Sequence, residues 1–195
     1  MLALCGQIRP DVRPFYLRVT PEADCEPLGC FSNVERKVGR EGGRAQTGWA
    51  IWIWPRVFVE AEHHAVFAPA SGAAWRDITP AGPGVRRRLF LPDDTATYDL
   101  ADPRGRRDNI RLALSGDPLV AEMFAGMEAR TRIWRSNPGA DAADDMAEFG
   151  RLQSAELAQG YAQSRLAMKY AQPNDPCVCG SGRRFKACHG RKSPR

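Results

Sequence analysis

The sequence predicts an α+β fold in which a helix precedes an antiparallel sheet, two further helices follow, and a short cysteine-rich segment comes last. Between residues 48 and 94, apolar and polar residues alternate in runs separated by prolines and glycines, which is typical of strands. After about residue 108, apolar residues recur at helical spacing instead. We therefore expect three regions, residues 1–105, 106–172 and 173–195.

Four apolar runs predict the strands, at residues 48–55, 56–69, 73–80 and 86–94. Ser71-Gly72 should join the second and third as a hairpin. Pro92 should make the fourth an edge strand, because proline cannot donate to a ladder of hydrogen bonds. Ahead of the sheet, residues 30–38 predict two helical turns stopped by Gly39. The first 29 residues predict loop with one short strand near residues 15–17.

The region 106–172 predicts two helices. Asp117 is a typical N-cap with Pro118 in the first turn, and Asn137-Pro138-Gly139 should end the first helix. The second should begin near Asp141 and end at Gln172-Pro173. Each helix carries an apolar stripe: Leu119, Val120, Met123, Phe124, Met127 and Trp134 in the first, and Met146, Phe149, Leu157, Tyr161 and Met168 in the second.

Basic residues concentrate at the end of the chain. From Cys177 onward there are six Arg or Lys residues and no Asp or Glu, whereas the rest holds 22 basic and 23 acidic residues. This distribution favours an acidic protein surface, ribosomal RNA or an anionic lipid surface as partner, and a solvated segment without a partner is the alternative.

Neither a signal peptide nor a transmembrane segment is predicted. The apolar opening of five residues is too short for a signal-peptide core, and no apolar run approaches the length that spans a bilayer. Cys5, Cys25 and Cys30 are an odd number without framework spacing, which argues against a secreted disulfide scaffold. We expect a soluble protein of the reducing cytoplasm.

Four metal ligands lie within thirteen residues, namely Cys177, Cys179, Cys188 and His189. Zinc favours a tetrahedral set of thiolates and imidazole, and four protein ligands leave no position open for water or substrate. Gly180 and Gly182 between the ligand pairs permit the tight reversal that would bring the pairs together. The sequence therefore predicts structural zinc in a terminal hairpin, whose folding energy the metal supplies.

This segment resembles the SEC-C motif, the zinc-binding tail of the preprotein translocase motor. The resemblance runs through Asn174–Gly182 (NDPCVCGSG), then RRFK and CHG, with Val178 where the motif often has proline. It implies a bacterial protein in which residues 173–195 bind a protein partner, either an export chaperone or a ribosome. The positive charge of the tail, apart from the resemblance, also allows contact with RNA.

A second group of residues has the order of a thiol site: Cys30 in GCFSNV, His64 in EHHAVF and Asp77 in WRDITP. This order is similar to that of papain-like and transglutaminase-like folds. The resemblance implies a nucleophilic Cys30 at a helix start, His64 on the sheet as acid and base, and Asp77 orienting the imidazole ring. Backbone N–H groups near Gly29 would stabilise an oxyanion.

In that interpretation a helix N-terminus favours thiolate over thiol at Cys30. The indole rings of Trp49, Trp52 and Trp54 could wall the cleft. The function implied is a thiol hydrolase or acyl-transfer domain with a zinc-bearing tail that recruits its partner. The alternative is a non-catalytic, zinc-stabilised adaptor protein linked to protein export or ribosomes.

Several alternatives stay open for the individual residues. Strict alternation places His63, not His64, on the more apolar face of its strand, so His63 is the second candidate for the base. Cys30 could be a small buried apolar residue, and Asp77 could begin a turn. Glu60, Glu62 and His64 share a face and could hold a metal, while Cys25, close to Pro27, is the weaker candidate nucleophile.

Overall fold

The computed structural model describes residues 1–82, 84–102, 107–136, 146–175, 177 and 183–191. The chain divides into two compact units. The barrel unit comprises residues 1–54 and 59–112, and the helical unit comprises residues 55–58 and 113–195.

The barrel unit contains two helices and the strands of one sheet. In chain order these are α1 (Leu2–Ile8), β1 (Phe15–Val19), α2 (Cys30–Glu41), β2 (Arg44–Trp54), β3 (Phe58–Ala68), β4 (Arg76–Asp77), β5 (Arg87–Pro92) and β6 (Ile110–Ala113). The predicted helix at residues 30–38 is thus present and one turn longer. The start of the chain, predicted as loop, instead forms α1, because Leu4 and Cys5 bury one side of that short helix.

The sheet has the strand order β2-β5-β1-β4-β3-β6, and a further pairing of β2 with β3 closes five strands into a barrel. It is mixed rather than antiparallel as predicted, because β1 runs parallel to β4. A parallel pair requires a long crossover, and here that connection contains α2, β2 and β3. Alternation within each strand does not reveal strand direction, so the sequence did not indicate this pairing.

The predicted edge strand β5 lies inside the sheet, between β1 and β2. Pro92 is its last residue, where a missing N–H costs little. It pairs with Gly48 of β2. A Cβ atom on Gly48 would lie 2.3 Å from the carbonyl oxygen of Leu91, so only glycine permits this close approach of the two strands.

Two helices cover different parts of the sheet. Leu4 and Cys5 of α1 pack in one apolar cluster with residues of β2, β3 and β5. Val34 of α2 packs in another with Ala65, Phe67 and Ile78. Neither of these two clusters contains a residue of β1, and Tyr16 on that strand is 60 % exposed.

The helical unit contains α3 (Pro118–Ser136) and α4 (Met146–Tyr170), followed by a single 3-10 turn (Phe185–Ala187). The predicted N-cap is present, since the Leu119 N–H donates a hydrogen bond of 3.1 Å to Asp117 Oδ1. The helical period predicted from residue 108 begins later, because Ile110–Ala113 form β6 beside β3. The predicted break at residues 137–139 and the start near Asp141 lie outside the described residues.

Gly126 allows the two long helices to approach closely. A Cβ atom at this position would lie 2.9 Å from Cβ of Gln159 on α4.

Among the residues that the structure describes, no helix combines the length and the apolar character needed to cross a membrane.

Candidate functional site

Cys30 is the first residue of α2 and follows the N-cap Gly29. The residue before the cap, Leu28, has a positive φ of 64° although it is not glycine. Such backbone conformations are sparsely populated and are often found at functional sites. Cys30 is 7 % exposed and lines a cleft with a volume of about 230 Å³, so the residue is largely buried but borders open space.

His64 and Asp77 form a buried pair. His64 Nε2 lies 3.1 Å from Asp77 Oδ2, and the two side chains are 3 % and 0 % exposed. The contact is an ion pair that lacks the alignment of a hydrogen bond. Arg88 on β5 places its Nε 3.0 Å from the same carboxylate oxygen. The backbone N–H of Thr79 donates a hydrogen bond of 3.0 Å to Asp77 Oδ1.

The charges of this group are mutually stabilising. Burial is the largest effect on His64 and disfavours its charged form, yet Cys30 and Asp77 together raise the pKa of His64 to about 10. Burial also opposes ionisation of Asp77, but His64, Arg88 and the Thr79 N–H lower the pKa of that carboxyl below its usual value. Both shifts favour the charged forms of His64 and Asp77, whose side chains lie 3.1 Å apart.

Asn33, one turn into α2, holds the loop that leads into Cys30. Its Nδ2 donates to the carbonyl of Glu26 over 2.8 Å and to Thr79 Oγ1 over 3.2 Å. Its Oδ1 accepts a hydrogen bond of 3.0 Å from the Glu26 N–H. This 1 % exposed amide thus joins the loop before Cys30 to the segment after Asp77. Neither Asn33 nor Arg88 was predicted as a site residue, although a charged residue inside an apolar strand is a signal that could have identified Arg88.

The two adjacent histidines have different environments. His63 Nε2 donates to the carbonyl of Ala96 over 2.7 Å, and its ring lies 4.7 Å from that of Phe31 and 5.4 Å from that of Trp49. His63 therefore lies on the side of the strand that meets the aromatic residues, as strict alternation predicts. The imidazole beside Asp77 nevertheless belongs to His64.

The aromatic wall of the cleft differs from the one predicted. Phe31 and Tyr98 line it, with their rings stacked at 4.2 Å. Trp49, Trp52 and Trp54 do not line it: Trp49 donates from Nε1 to Asp93 Oδ2 over 3.0 Å, and Trp52 is 42 % exposed. The loop before α2 and the loop containing Tyr98 determine the cleft, and strand periodicity carries no information on their paths.

The alternative metal set on β3 is not assembled. Glu60 is bound by Arg111 Nε and Asn109 Nδ2, each 2.9 Å from Glu60 Oε1. Glu62 Oε2 instead lies 3.6 Å from Arg88 Nη1. Within the described part of the chain, the only cluster with ligand spacing is in the terminal segment.

The other two cysteines of the barrel unit are apolar packing residues. Cys25 packs with Val34 and Ile78, and burial is the main cause that raises the pKa of its thiol. Cys5 lies in the cluster beneath α1, where burial likewise raises its pKa. Both environments favour the inert thiol form.

The terminal segment brings three predicted metal ligands together. Ligand atoms of Cys177, Cys188 and His189 all lie within 4.8 Å of one another, and His189 Nδ1 is 3.2 Å and 3.5 Å from the two sulfurs. In a tetrahedral site with Zn–S near 2.3 Å, ligand atoms lie about 3.5–3.8 Å apart. The cluster can therefore hold a metal ion. Cys179, the fourth predicted ligand, lies outside the described residues.

The backbone of this segment is held by hydrogen bonds that close a compact turn. The Cys177 N–H donates to the carbonyl of Arg183 over 2.8 Å, and the Phe185 N–H donates to that of Asp175 over 2.8 Å. A Cβ atom on Gly190 would lie 2.6 Å from the ring of Phe185, so glycine lets this ring pack against the ligand turn.

Comparison with known proteins agrees with this geometry. Residues 174–191 match the family model of the SEC-C motif. The terminal segment is a SEC-C motif. No solved structure matches the chain, so the predicted papain-like resemblance of the barrel unit has no support from comparison.

Proposed function

We propose that the barrel unit is a thiol-dependent acyl-transfer enzyme, a hydrolase or transferase, that acts through Cys30, His64 and Asp77. The observation that carries the proposal is the buried pair of His64 and Asp77, 3.1 Å apart, with Cys30 acting on the same imidazole and raising its pKa. The position of Cys30 at the start of α2 and on the wall of a cleft supports the same role.

The reaction begins with the Cys30 thiolate, which attacks a carbonyl carbon and forms a C–S bond while the carbonyl electron pair moves to oxygen. Backbone N–H groups at the start of α2 stabilise this oxyanion. As the electron pair returns, the bond to the leaving group breaks and His64 gives its proton to that group. The product is a thioester on Cys30.

The second half removes the acyl group. A water molecule or an acceptor amine attacks the thioester carbonyl, and neutral His64 takes its proton. The C–S bond breaks, the thiolate is regenerated, and the imidazolium–thiolate pair is restored. Asp77 stays ionised throughout and acts as a positioning residue, held by Arg88 and the Thr79 N–H.

We further propose that the SEC-C motif holds a structural zinc ion through Cys177, Cys179, Cys188 and His189. The mixed sulfur and nitrogen donors suit zinc, which then stabilises the turn without taking part in catalysis. Arg183, Arg184 and Lys186 are exposed on this turn. They give it the charge to recruit an acidic protein surface as partner.

The test of the enzyme proposal is the rate at which iodoacetamide modifies Cys30 in the folded, zinc-loaded protein near neutral pH. We expect Cys30 to be labelled first, faster than free cysteine, and at least about tenfold more slowly in His64→Asn. Buried Cys25 in the same protein is the internal control. A Cys30 that stays unlabelled, or reacts equally fast without His64, would instead favour the non-catalytic adaptor.

A further inference from the structure

Three arginines form a row across three neighbouring strands. Arg18 of β1 is paired with Arg76 of β4 on one side and with Arg87 of β5 on the other. Directly paired residues point to the same face of a sheet, so the three side chains share one surface. Strands are about 4.8 Å apart, and the outer two arginines are therefore separated by about 10 Å.

This arrangement costs the fold stability, since like charges directly opposite each other on a sheet repel. Arg76 has a partner, because its Nη2 lies 3.4 Å from Glu22 Oε1. Arg18 and Arg87 are exposed and form no ion pair with any residue that the structure describes. An anionic ligand would remove the repulsion that the chain itself leaves uncompensated.

Aromatic rings lie beside the row. Tyr16, two residues before Arg18 on the same strand face, is 60 % exposed, and Phe15 is 40 % exposed. The ring of Phe15 lies 5.7 Å from that of Trp75, and the Arg44 guanidinium lies 5.1 Å from the Trp75 ring. These rings and the three arginines line a groove of about 710 Å³, whose described lining residues include no Asp or Glu.

We propose that this arginine–aromatic groove binds single-stranded nucleic acid. Guanidinium groups match phosphate oxygens with paired hydrogen bonds, and every base has a face that can stack on an exposed ring. An acidic peptide would satisfy the arginines but would leave the rings without a specific role. A membrane surface is flat, whereas this site is a groove.

The experiment is fluorescence anisotropy with labelled single strands of roughly 12 nucleotides, oligouridylate and oligothymidylate, titrated at about 50 mM salt. We expect Arg18→Gln/Arg87→Gln to weaken binding at least about tenfold and to reduce the slope of log K against log salt by about 1.4. Tyr16→Ala should weaken binding about fivefold or more without changing the slope. Equal binding of the two probes indicates backbone and stacking contacts, and tighter RNA binding indicates contact with the 2′-OH.

The charge-matched control is Arg130→Gln/Arg165→Gln on the helices of the helical unit, which should bind like the unmodified protein. Because Arg18→Gln/Arg87→Gln relieves repulsion, its melting temperature should be unchanged or higher, so lost binding cannot reflect unfolding. Three results would overturn the proposal. The protein could bind neither probe, or binding could be lost in Arg183→Gln/Arg184→Gln and kept in Arg18→Gln/Arg87→Gln. The third is arginine-dependent binding to phosphatidylserine vesicles only.

Discussion

Asn33 Nδ2 donates a hydrogen bond of 3.2 Å to Thr79 Oγ1, and this contact ties the helix that begins with Cys30 to the segment that follows Asp77. The same side-chain amide forms hydrogen bonds with both the N–H and the carbonyl of Glu26. The relative positions of the proposed nucleophile and the carboxylate therefore depend on one buried side chain outside the triad.

Replacement of Asn33 by alanine should destabilise the barrel unit by about 2–3 kcal/mol, because it leaves buried backbone groups of Glu26 without partners. It should also slow the modification of Cys30 by iodoacetamide, since the loop before α2 loses its anchor. Urea unfolding and timed labelling measure the two effects. Ser154→Ala on α4 is the control, and unchanged labelling in folded Asn33→Ala protein would contradict the positioning role.

His64 should stay protonated far above the ordinary range of histidine. Its pKa is raised from 6.5 to about 10, so its contribution to stability is complete below pH 6.5 and is lost as pH rises through about 10. In NMR titrations of histidine-labelled protein, the His64 signal should not shift between pH 6 and 8.5. Cys30→Ser removes the sulfur that helps to raise this pKa and should move the transition to lower pH.

His63, which donates to a backbone carbonyl, and the exposed His189 supply comparison signals in the same spectrum. Assignment follows from His64→Asn, which should remove only one signal. A His64 transition near pH 6.5 in the unmodified protein, or no change in Cys30→Ser, would contradict the interaction of His64 with Cys30.

Asp93 should make the barrel unit sensitive to acid. Burial opposes its ionisation, but hydrogen bonds from Thr95, Trp49 and Arg9 lower its pKa from 3.8 to about 2. A lowered pKa means that its stabilisation is complete above pH 3.8 and is lost as pH falls through about 2. Asp93→Asn should cost about 2 kcal/mol at neutral pH and flatten the decline in unfolding free energy below pH 4.

Urea unfolding at a series of pH values provides the measurement for Asp93. Asp99→Asn is the control, because Asp99 is exposed and accepts a hydrogen bond only from the nearby Ala101 N–H among the contacts described. An Asp93→Asn protein whose stability follows the unmodified curve at every pH would refute the assignment.

Metal removal should affect the terminal segment alone. Purified protein should contain about one equivalent of zinc, and Cys177→Ser or His189→Ala should lower that content well below one. Chelation should disorder residues 173–191 while the barrel unit still unfolds cooperatively at its original urea concentration. Elemental analysis and near-UV circular dichroism report these outcomes.

Lys186→Ala is the matched control for zinc content, because Lys186 is exposed on the same turn and supplies no ligand atom. Full zinc content in Cys177→Ser would exclude the predicted coordination. Unfolding of the barrel unit on chelation would contradict the proposal that the terminal segment and the barrel unit are stabilised independently.

Local patterns predicted the terminal segment and most of the strands but not β6, and the long-range arrangement was not predictable. The spacing of Cys177, Cys188 and His189 specified the SEC-C motif, which the family match confirms. Cys30, His64 and Asp77 were named from their order in the chain. His64 and Asp77 lie 3.1 Å apart, and the catalytic role of all three stays a prediction. The parallel pairing of β1 with β4 and the position of Arg88 depend on barrel closure, which no local pattern encodes.

The parallel pair of β1 and β4 also has a consequence for how the chain acquires its structure. Leu17 and its neighbours are made first, but their strand cannot be flanked by Arg76 until α2, β2 and β3 have been synthesised. Contacts so distant in sequence slow folding, because a long loop must close before any of them forms. During synthesis, β1 therefore stays unpaired with β4 until β4 has been made. We expect the local β2–β3 hairpin to form first.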